Sequence, residues 1–509
     1  MYRSGSTRRV FLSSAISTAA AAAMPASLFA EDERALQTQN STAKTAATGT
    51  SEPAVVPDES FDLSPEQVAD QQNYDQPLRP QFHYTTIQGH IGDTTGLVSY
   101  DGEYHLFNIH DEWCRKNSVH KRWGHAVSTD LINWTQMPPL LDTIIDHSPG
   151  SGSGIVDWNN SSGLRKGPEK TLLIFYTDYK RGSCIAYSND RGRNWVRYAK
   201  NPVISGATDA RDPNVFWYAP ANDWRMVRYE NKGFAFYQSE DLVHWTWLSR
   251  VEGYYECPDL FELQVVNSTE ERRWVLIDGD GSYTLGTFDG SRFLPQTEKL
   301  KAEYCSALYA TQTWKHPFED KGVCQVAWMR YPKQAEVTWN GQVAFPVRLS
   351  LRKFPEGIRL CRQPISEIEN LRVSQQTWKD LKVNSEKKSI PELRVELLDL
   401  QTEIKLAGAQ EFGISVRGQI IRYSVADQAL HLGSVSAPLK LPEGRLRLRI
   451  LVDRSSLEVF ADEGEVTFSI VTLENADNDV SFFSNGGEIR VVSLEANHLE
   501  SIWRMREAN

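Results

Sequence analysis

Three acids stand at similar distances ahead of a recurring turn. Asp93 lies 37 residues before Asp130, Asp212 lies 29 before Asp241, and Glu256 lies 33 before Asp289. Ser153 holds the corresponding place 37 residues before Asp190, so one unit begins without a carboxylate. Carboxylates drawn from separate units can divide labour. One, ionised, attacks or shields a developing positive centre; another, kept protonated, donates a proton. Like charges held close together raise at least one pKa. His90, His110 and His125 are not at metal-ligand spacing, and neither a metal nor a cofactor is expected.

These acids meet only if the chain brings equivalent positions to one axis, and the turn indicates how. STDLINW ends at Trp134, SNDRGRNW at Trp195 and SEDLVHW at Trp245; a weaker version, TFDGSRF, ends at Phe293. The turn aspartates 130, 190, 241 and 289 are 60, 51 and 48 residues apart. Asp in a tight turn caps its own backbone, and the aromatic packs on the following strand. Short apolar-alternating runs, such as 97–100, 104–107, 171–176 and 274–277, lie between Gly, Asp and Asn turns and read as strands. A near-constant period of antiparallel strands predicts propeller blades, whose first strands line a central channel. A fifth blade is expected from about Tyr309 to Leu351. Past about residue 370 the repeat stops. The runs 392–400, 411–416, 446–460 and 466–471 alternate apolar and polar, which predicts an antiparallel β-sandwich. The fold expected is all-β: a five-bladed propeller over 79–370, then a sandwich over 371–509.

Before residue 79 the sequence reads differently. Thr7-Arg8-Arg9-Val10-Phe11-Leu12, followed by an Ala-rich run, resembles a twin-arginine signal, and residues 1–30 are expected to direct export to the periplasm or beyond. Residues 31–78, rich in Thr, Ser, Ala, Gln and Pro, read as a linker. The 509 residues carry 55 Lys and Arg against 66 Asp and Glu, a net charge of −11, which argues against nucleic-acid partners. No other run is long and apolar enough to suggest membrane insertion. Six cysteines without a C-x-x-C pair indicate neither a zinc ribbon nor a disulfide scaffold.

Motifs along 79–500 resemble glycoside hydrolase family 32, the invertases, inulinases and levanases. They are RPQFHY (79–84), GHIGDTTGLVSYDGEYHLF (89–107), WGHAVSTDLINW (123–134), SGSGIVD (151–157), NPVIS (201–205), ARDPNV (210–215), WRMV (224–227), YECPDLFEL (255–263) and LVDRSSLEVFADEGE (451–465). The resemblance implies the propeller and sandwich, Asp93 as nucleophile, Glu256 as general acid/base, and Asp212 as the residue that holds sugar hydroxyls and stabilises the transition state. For such a retaining glycosidase the two reacting carboxyls lie ~5–5.5 Å apart. Substrate contacts are assigned to His90, Trp113, Ser151, Arg211 and Trp314. Arg211 either binds a hydroxyl or pairs with Asp212; Ser151 either faces the sugar or only shapes a turn; each Trp either floors a subsite or packs in the core. Cys257 reads as a buried motif residue.

Departures from the family pattern cluster around Asp93. His90-Ile91-Gly92 stands for Trp-Met-Asn, Thr94-Thr95 for Pro-Asn, 108–112 for Tyr-Gln-Tyr-Asn-Pro, and Ala307 for an Asp. The acids remain while part of the fructose-recognition shell is changed, which points away from sucrose. The leading expectation is an exported retaining hydrolase of β-fructofuranosidic bonds in a fructan, levan or inulin. A hydrolase of another furanoside of the arabinan type and a non-catalytic fructan-binding protein are the alternatives. The sandwich either binds substrate or covers a propeller face and makes a homodimer, and the structural role is the one expected.

Overall fold

A computed structural model describes residues 74, 76–111, 121–141, 149–206, 209–314, 322–331, 339–384, 388–394, 396–472 and 478–503. The signal-like segment 1–30 and the linker up to residue 73 lie outside them. The end of that linker belongs to the fold: Tyr74 is buried and stacks on Trp503 at 3.9 Å. A lone aromatic in a polar stretch carries no periodicity, so the sequence places the boundary a few residues late.

Among the described residues, five antiparallel sheets follow one another along the chain. Their first strands are Gly89–Tyr100, Pro149–Asp157, Ala210–Tyr218, Asp259–Gln264 and Leu308–Trp314. Each sheet is built mainly from consecutive strands, and the short strand Trp339–Asn340 pairs in parallel with Gly89–His90, tying the fifth sheet to the first. Neighbouring sheets share apolar cores. Val98, Phe107 and Trp123 pack with Leu172, Ile174 and Tyr176; Phe175 and Ile185 pack with Val215 and Met226; Phe216 and Phe236 pack with Leu260 and Phe288. Val275 and Val347 join a cluster that also holds Leu97, Leu106 and Val326, which closes the cycle. This is the packing a five-bladed propeller requires.

Covered faces explain where the alternating pattern gives way. The inner strand Thr171–Asp178 (TLLIFYTD) is buried at every position, because sheets pack on both sides of it. The outer strand Thr246–Glu252 keeps most of its residues partly or fully exposed. The repeated turn forms as expected. Asp130 Oδ1 accepts the backbone N–H groups of Ile132 at 2.9 Å and Asn133 at 2.7 Å. Asp241 does the same for Val243 and His244, and Asp289 for Ser291 and Arg292.

The sandwich pairs two six-stranded sheets over a core that includes Leu400, Phe412, Ile450, Val459, Phe468 and Val491. Strands Glu411–Val416 and Val466–Val471 fall where expected, and 446–460 divides into Arg445–Asp453 and Ser456–Ala461. The run 392–400 is a strand only from Leu398, because Pro391–Leu393 makes a 3-10 turn.

Buried polar clusters join the two parts. His83 donates to, and is clamped between, Asp453 at 2.8 Å and Glu458 at 2.7 Å. Burial pulls this imidazole down, but the hydrogen bonds and charges of the two acids outweigh it and raise the pKa to about 9. Arg362 meets Glu303 at 3.1 Å, and Glu303 also accepts from Thr467 and Ser469 at 2.9 Å each.

Candidate active site

The acids sit at the leading ends of the first strands, where the ladders are broken. Pairing slips between Ile91 and Thr94, between Gly150 and Gly152, between Arg211 and Asn214, and between Tyr309 and Gln312. Each slip is a bulge, and bulges re-aim side chains toward a site. Asp93, Ser151, Asp212 and Ala310 occupy them. In the fourth sheet Glu256 and Cys257 come just before the strand with φ of 52° and 42°, and Asp212 has φ of 58°. Each such left-handed residue costs about 1–2 kcal/mol, so the carboxylates are aimed at the expense of backbone strain.

Contacts hold the acids in two sets joined by Thr177, whose hydroxyl donates to the Ser151 carbonyl at 3.0 Å and accepts the N–H of Asp212 at 2.8 Å. Ser151 donates to Asp93 Oδ2 at 2.7 Å. Arg211 Nε donates to Glu256 Oε1 at 2.8 Å and lies 4.0 Å from Asp212 Oδ2. The N–H of Cys257 donates to Asp212 Oδ2 at 3.0 Å. The Tyr309 hydroxyl donates to Glu256 Oε2. Both oxygens of Glu256 are therefore held, and the residue after it secures Asp212. Arg211 is itself fixed by Asp209 and packs 4.2 Å over the Tyr229 ring.

Upward pKa shifts fall on the two aspartates. Burial raises Asp212 to about 7; Arg211 opposes this, and the charge of Glu256 adds to it. Burial also raises Asp93; the Ser151 bond, Lys121 and Arg330 pull against it, while Glu256 pushes with it. Desolvation is the leading cause at both positions, ahead of the mutual repulsion expected from the sequence.

The structure brings together Asp93, Ser151, Arg211, Asp212 and Glu256. Arg211 does pair with an acid, and its partner by distance is Glu256 more than Asp212. His90 lies on the seam between the fifth and first sheets: its Nδ1 is 2.9 Å from Asn340 Oδ1, and its ring is edge-on to Trp328. Trp314 does not floor a subsite. It is fully buried, its Nε1 donates to the His105 carbonyl, and it packs on Tyr104 and Trp134, because the far end of its strand lies between the fifth and first sheets. Trp113 lies outside the described residues. Ser153 takes no part in the acid set; its hydroxyl accepts the N–H of Val215. Gly92 and Ile109 face each other, with a Cβ built on Gly92 only 3.3 Å from that of Ile109, so neither of these two positions supplies a side-chain hydrogen bond.

Sequence reasoning missed the role of Tyr309, although it shares the phase of the acids. It also missed Tyr255, for which the neighbouring acid motif in YYECPDL was the available signal, and Tyr179, which no motif marks. Among the described residues, no group of three His, Cys, Asp or Glu side chains lies close enough to hold a metal ion.

Comparisons with known proteins agree with this architecture. The model of the glycosyl hydrolases family 32 N-terminal domain matches residues 83–364, and that of the family 32 C terminal matches 367–498. A levanase of Bacillus subtilis (strain 168) is 33% identical, covering 86% of this chain and 72% of its own length. An extracellular exo-inulinase of Aspergillus awamori is 28% identical, covering 85% of this chain and 96% of its own. The crystal structure of exo-inulinase from Aspergillus awamori superposes with a TM-score of 0.75 at 25% identity, covering 84% of this chain and all of that one. With both domain models matched in order across the propeller-like sheets and the sandwich, the chain belongs to glycosyl hydrolase family 32.

Proposed function

We propose that the chain is a fructan-cleaving β-fructofuranosidase that retains configuration through a fructosyl-enzyme, with Asp93 as nucleophile, Glu256 as acid/base and Asp212 as transition-state stabiliser. The joining of Asp212 to Glu256 through Arg211 and the Cys257 amide, with Asp93 held by Ser151 and Ser151 tied to Asp212 through Thr177, carries this reading. In the first step Asp93 attacks the anomeric carbon of the terminal fructosyl unit while Glu256 protonates the departing oxygen. The shortened chain leaves, and the fructosyl unit remains esterified to Asp93. In the second step Glu256, now ionised, takes a proton from water as that water attacks the same carbon and frees Asp93. The Ser151 hydroxyl supports the ionised nucleophile. Arg211 places a cation between the other two acids, where it orients Glu256 and balances charge at Asp212.

The levanase and exo-inulinase relatives support a fructan as substrate. The family's fructose-recognition residues are changed around Gly92, which motivates testing sucrose beside the fructans. Action outside the cytoplasm by way of the twin-arginine-like segment belongs to the same proposal. No helix among the described residues is long and apolar enough to cross a membrane.

The test incubates mature protein and an Asp93→Asn variant with levan, inulin, sucrose and arabinan. Fructose released from a fructan, with kcat reduced at least ~10³-fold in the variant, is expected. Arabinose release would replace the substrate. Fructan binding without turnover by the folded native chain would replace the enzyme with a binding protein.

A further inference from the structure

Two half-exposed tyrosines flank the acids and take no part in the steps above. Tyr179 stands in the 178–182 turn between the second and third strands of the second sheet. Its ring lies over Gly150, where an added Cβ would come 2.8 Å from the hydroxyl and 2.9 Å from ring carbons. Gly150 precedes Ser151, the donor to Asp93. The hydroxyl end lies beside Gly150, one residue from the Ser151 that holds Asp93, while 55% of the residue stays exposed.

Tyr255 directly precedes Glu256. Its ring is edge-on to Tyr229 at 5.3 Å, lies 5.5 Å from the Arg211 guanidinium, and leaves 44% of the residue exposed. The two rings thus come from the second and fourth sheets, with Arg211 and Asp212 of the third sheet between them. Trp158 and Trp247 are also exposed, but they stand beyond the far end of a first strand and on an outermost strand.

An exposed aromatic face beside a polar cleft suits a sugar ring. The C–H face of the sugar covers the aromatic carbons while its hydroxyls remain wet. Glu256 protonates the departing oxygen, so the sugar attached to that oxygen passes Tyr255 as it leaves the cleft. We propose that Tyr179 and Tyr255 form the walls of the site for the leaving-group sugar, and so favour a fructan chain over substrates with a small leaving group. This rests on the assignment of Glu256 as the acid.

The test compares two substrates: a fructan oligomer of three or four fructose units, and methyl β-D-fructofuranoside, whose leaving group is methanol. For Tyr179→Ala and Tyr255→Ala, kcat/KM is expected to fall at least about tenfold further on the oligomer than on the methyl glycoside. Tyr179→Phe and Tyr255→Phe keep the rings and are expected to hold the native ratio within about threefold. Equal losses on both substrates, or no loss on the oligomer, would overturn the proposal alone. Loss of the ratio on removing only a hydroxyl would overturn stacking as its cause. A native chain that releases fructose from neither substrate would overturn the hydrolase reading, and the proposal with it.

Discussion

Asp212 is a buried acid whose pKa is raised from 3.8 to about 7, and the direction of that shift fixes a pH dependence. Between about 4 and 7 the folded state binds a proton that the unfolded state has released, so this residue lowers stability as pH rises through that window. Replacing it with Asn removes the effect. The Tm of Asp212→Asn relative to the native chain is expected to climb from pH 4 to pH 7.5, read by calorimetry; a difference independent of pH would contradict the burial argument. Such a gain would accompany a loss of activity, as is common where a site is held at the expense of stability. Tyr309 acts differently, as a positioning residue that fixes Glu256 through one hydrogen bond. Tyr309→Phe is expected to lower kcat about tenfold or more while leaving KM within about twofold. A change confined to KM would mean that the hydroxyl serves binding instead.

At the scale of elements, the distance between sheets depends on a few glycines. Gly154, three residues past Ser151, leaves no room for a side chain: a Cβ there would come 2.4 Å from the Gly96 carbonyl of the first sheet. Gly154→Ala must push the first two sheets apart, at an expected loss of about 3 kcal/mol in urea unfolding. It should also weaken activity, because Ser151 and Asp93 face each other across the same joint. A stability loss with full activity would show that the joint relaxes without disturbing the site. These elements were largely legible in the sequence. The turn repeat gave the sheet order because Asp130, Asp241 and Asp289 cap their own turns, a local interaction that leaves a local mark. Shared phase gave the acids. Phase alone could not separate Trp314 from a sugar-binding role, since burial depends on which sheet closes over the end of a strand. Nor could it reveal the contact between Arg211 and Glu256, which depends on two left-handed residues that no propensity announces.

For the whole molecule, the joint between propeller and sandwich is electrostatic at its centre. His83, held by Asp453 and Glu458, has a folded pKa of about 9 against 6.5 as its reference. Its stabilisation is complete below about pH 6.5 and is lost as pH rises through about 9. Melting temperatures of the native chain are expected to fall across that window more steeply than those of His83→Asn, which lacks the titrating group. At pH 6 that variant should lose about 3–5 kcal/mol, because two buried acids are left without their cation; parallel profiles would show that the cluster carries no charge. The same joint bears on synthesis. Gln81, Phe82 and His83 rest on Asp453, the Pro80 carbonyl accepts from the Trp503 indole, and Tyr74 stacks on that ring. The start of the folded region is therefore completed by residues that leave the ribosome 370 or more codons later. A nascent chain that has not reached Trp503 lacks the indole on which Tyr74 stacks and to which Pro80 is hydrogen-bonded. Closure of the folded region therefore waits for Trp503 to emerge, so its earliest and latest described segments become ordered in one event.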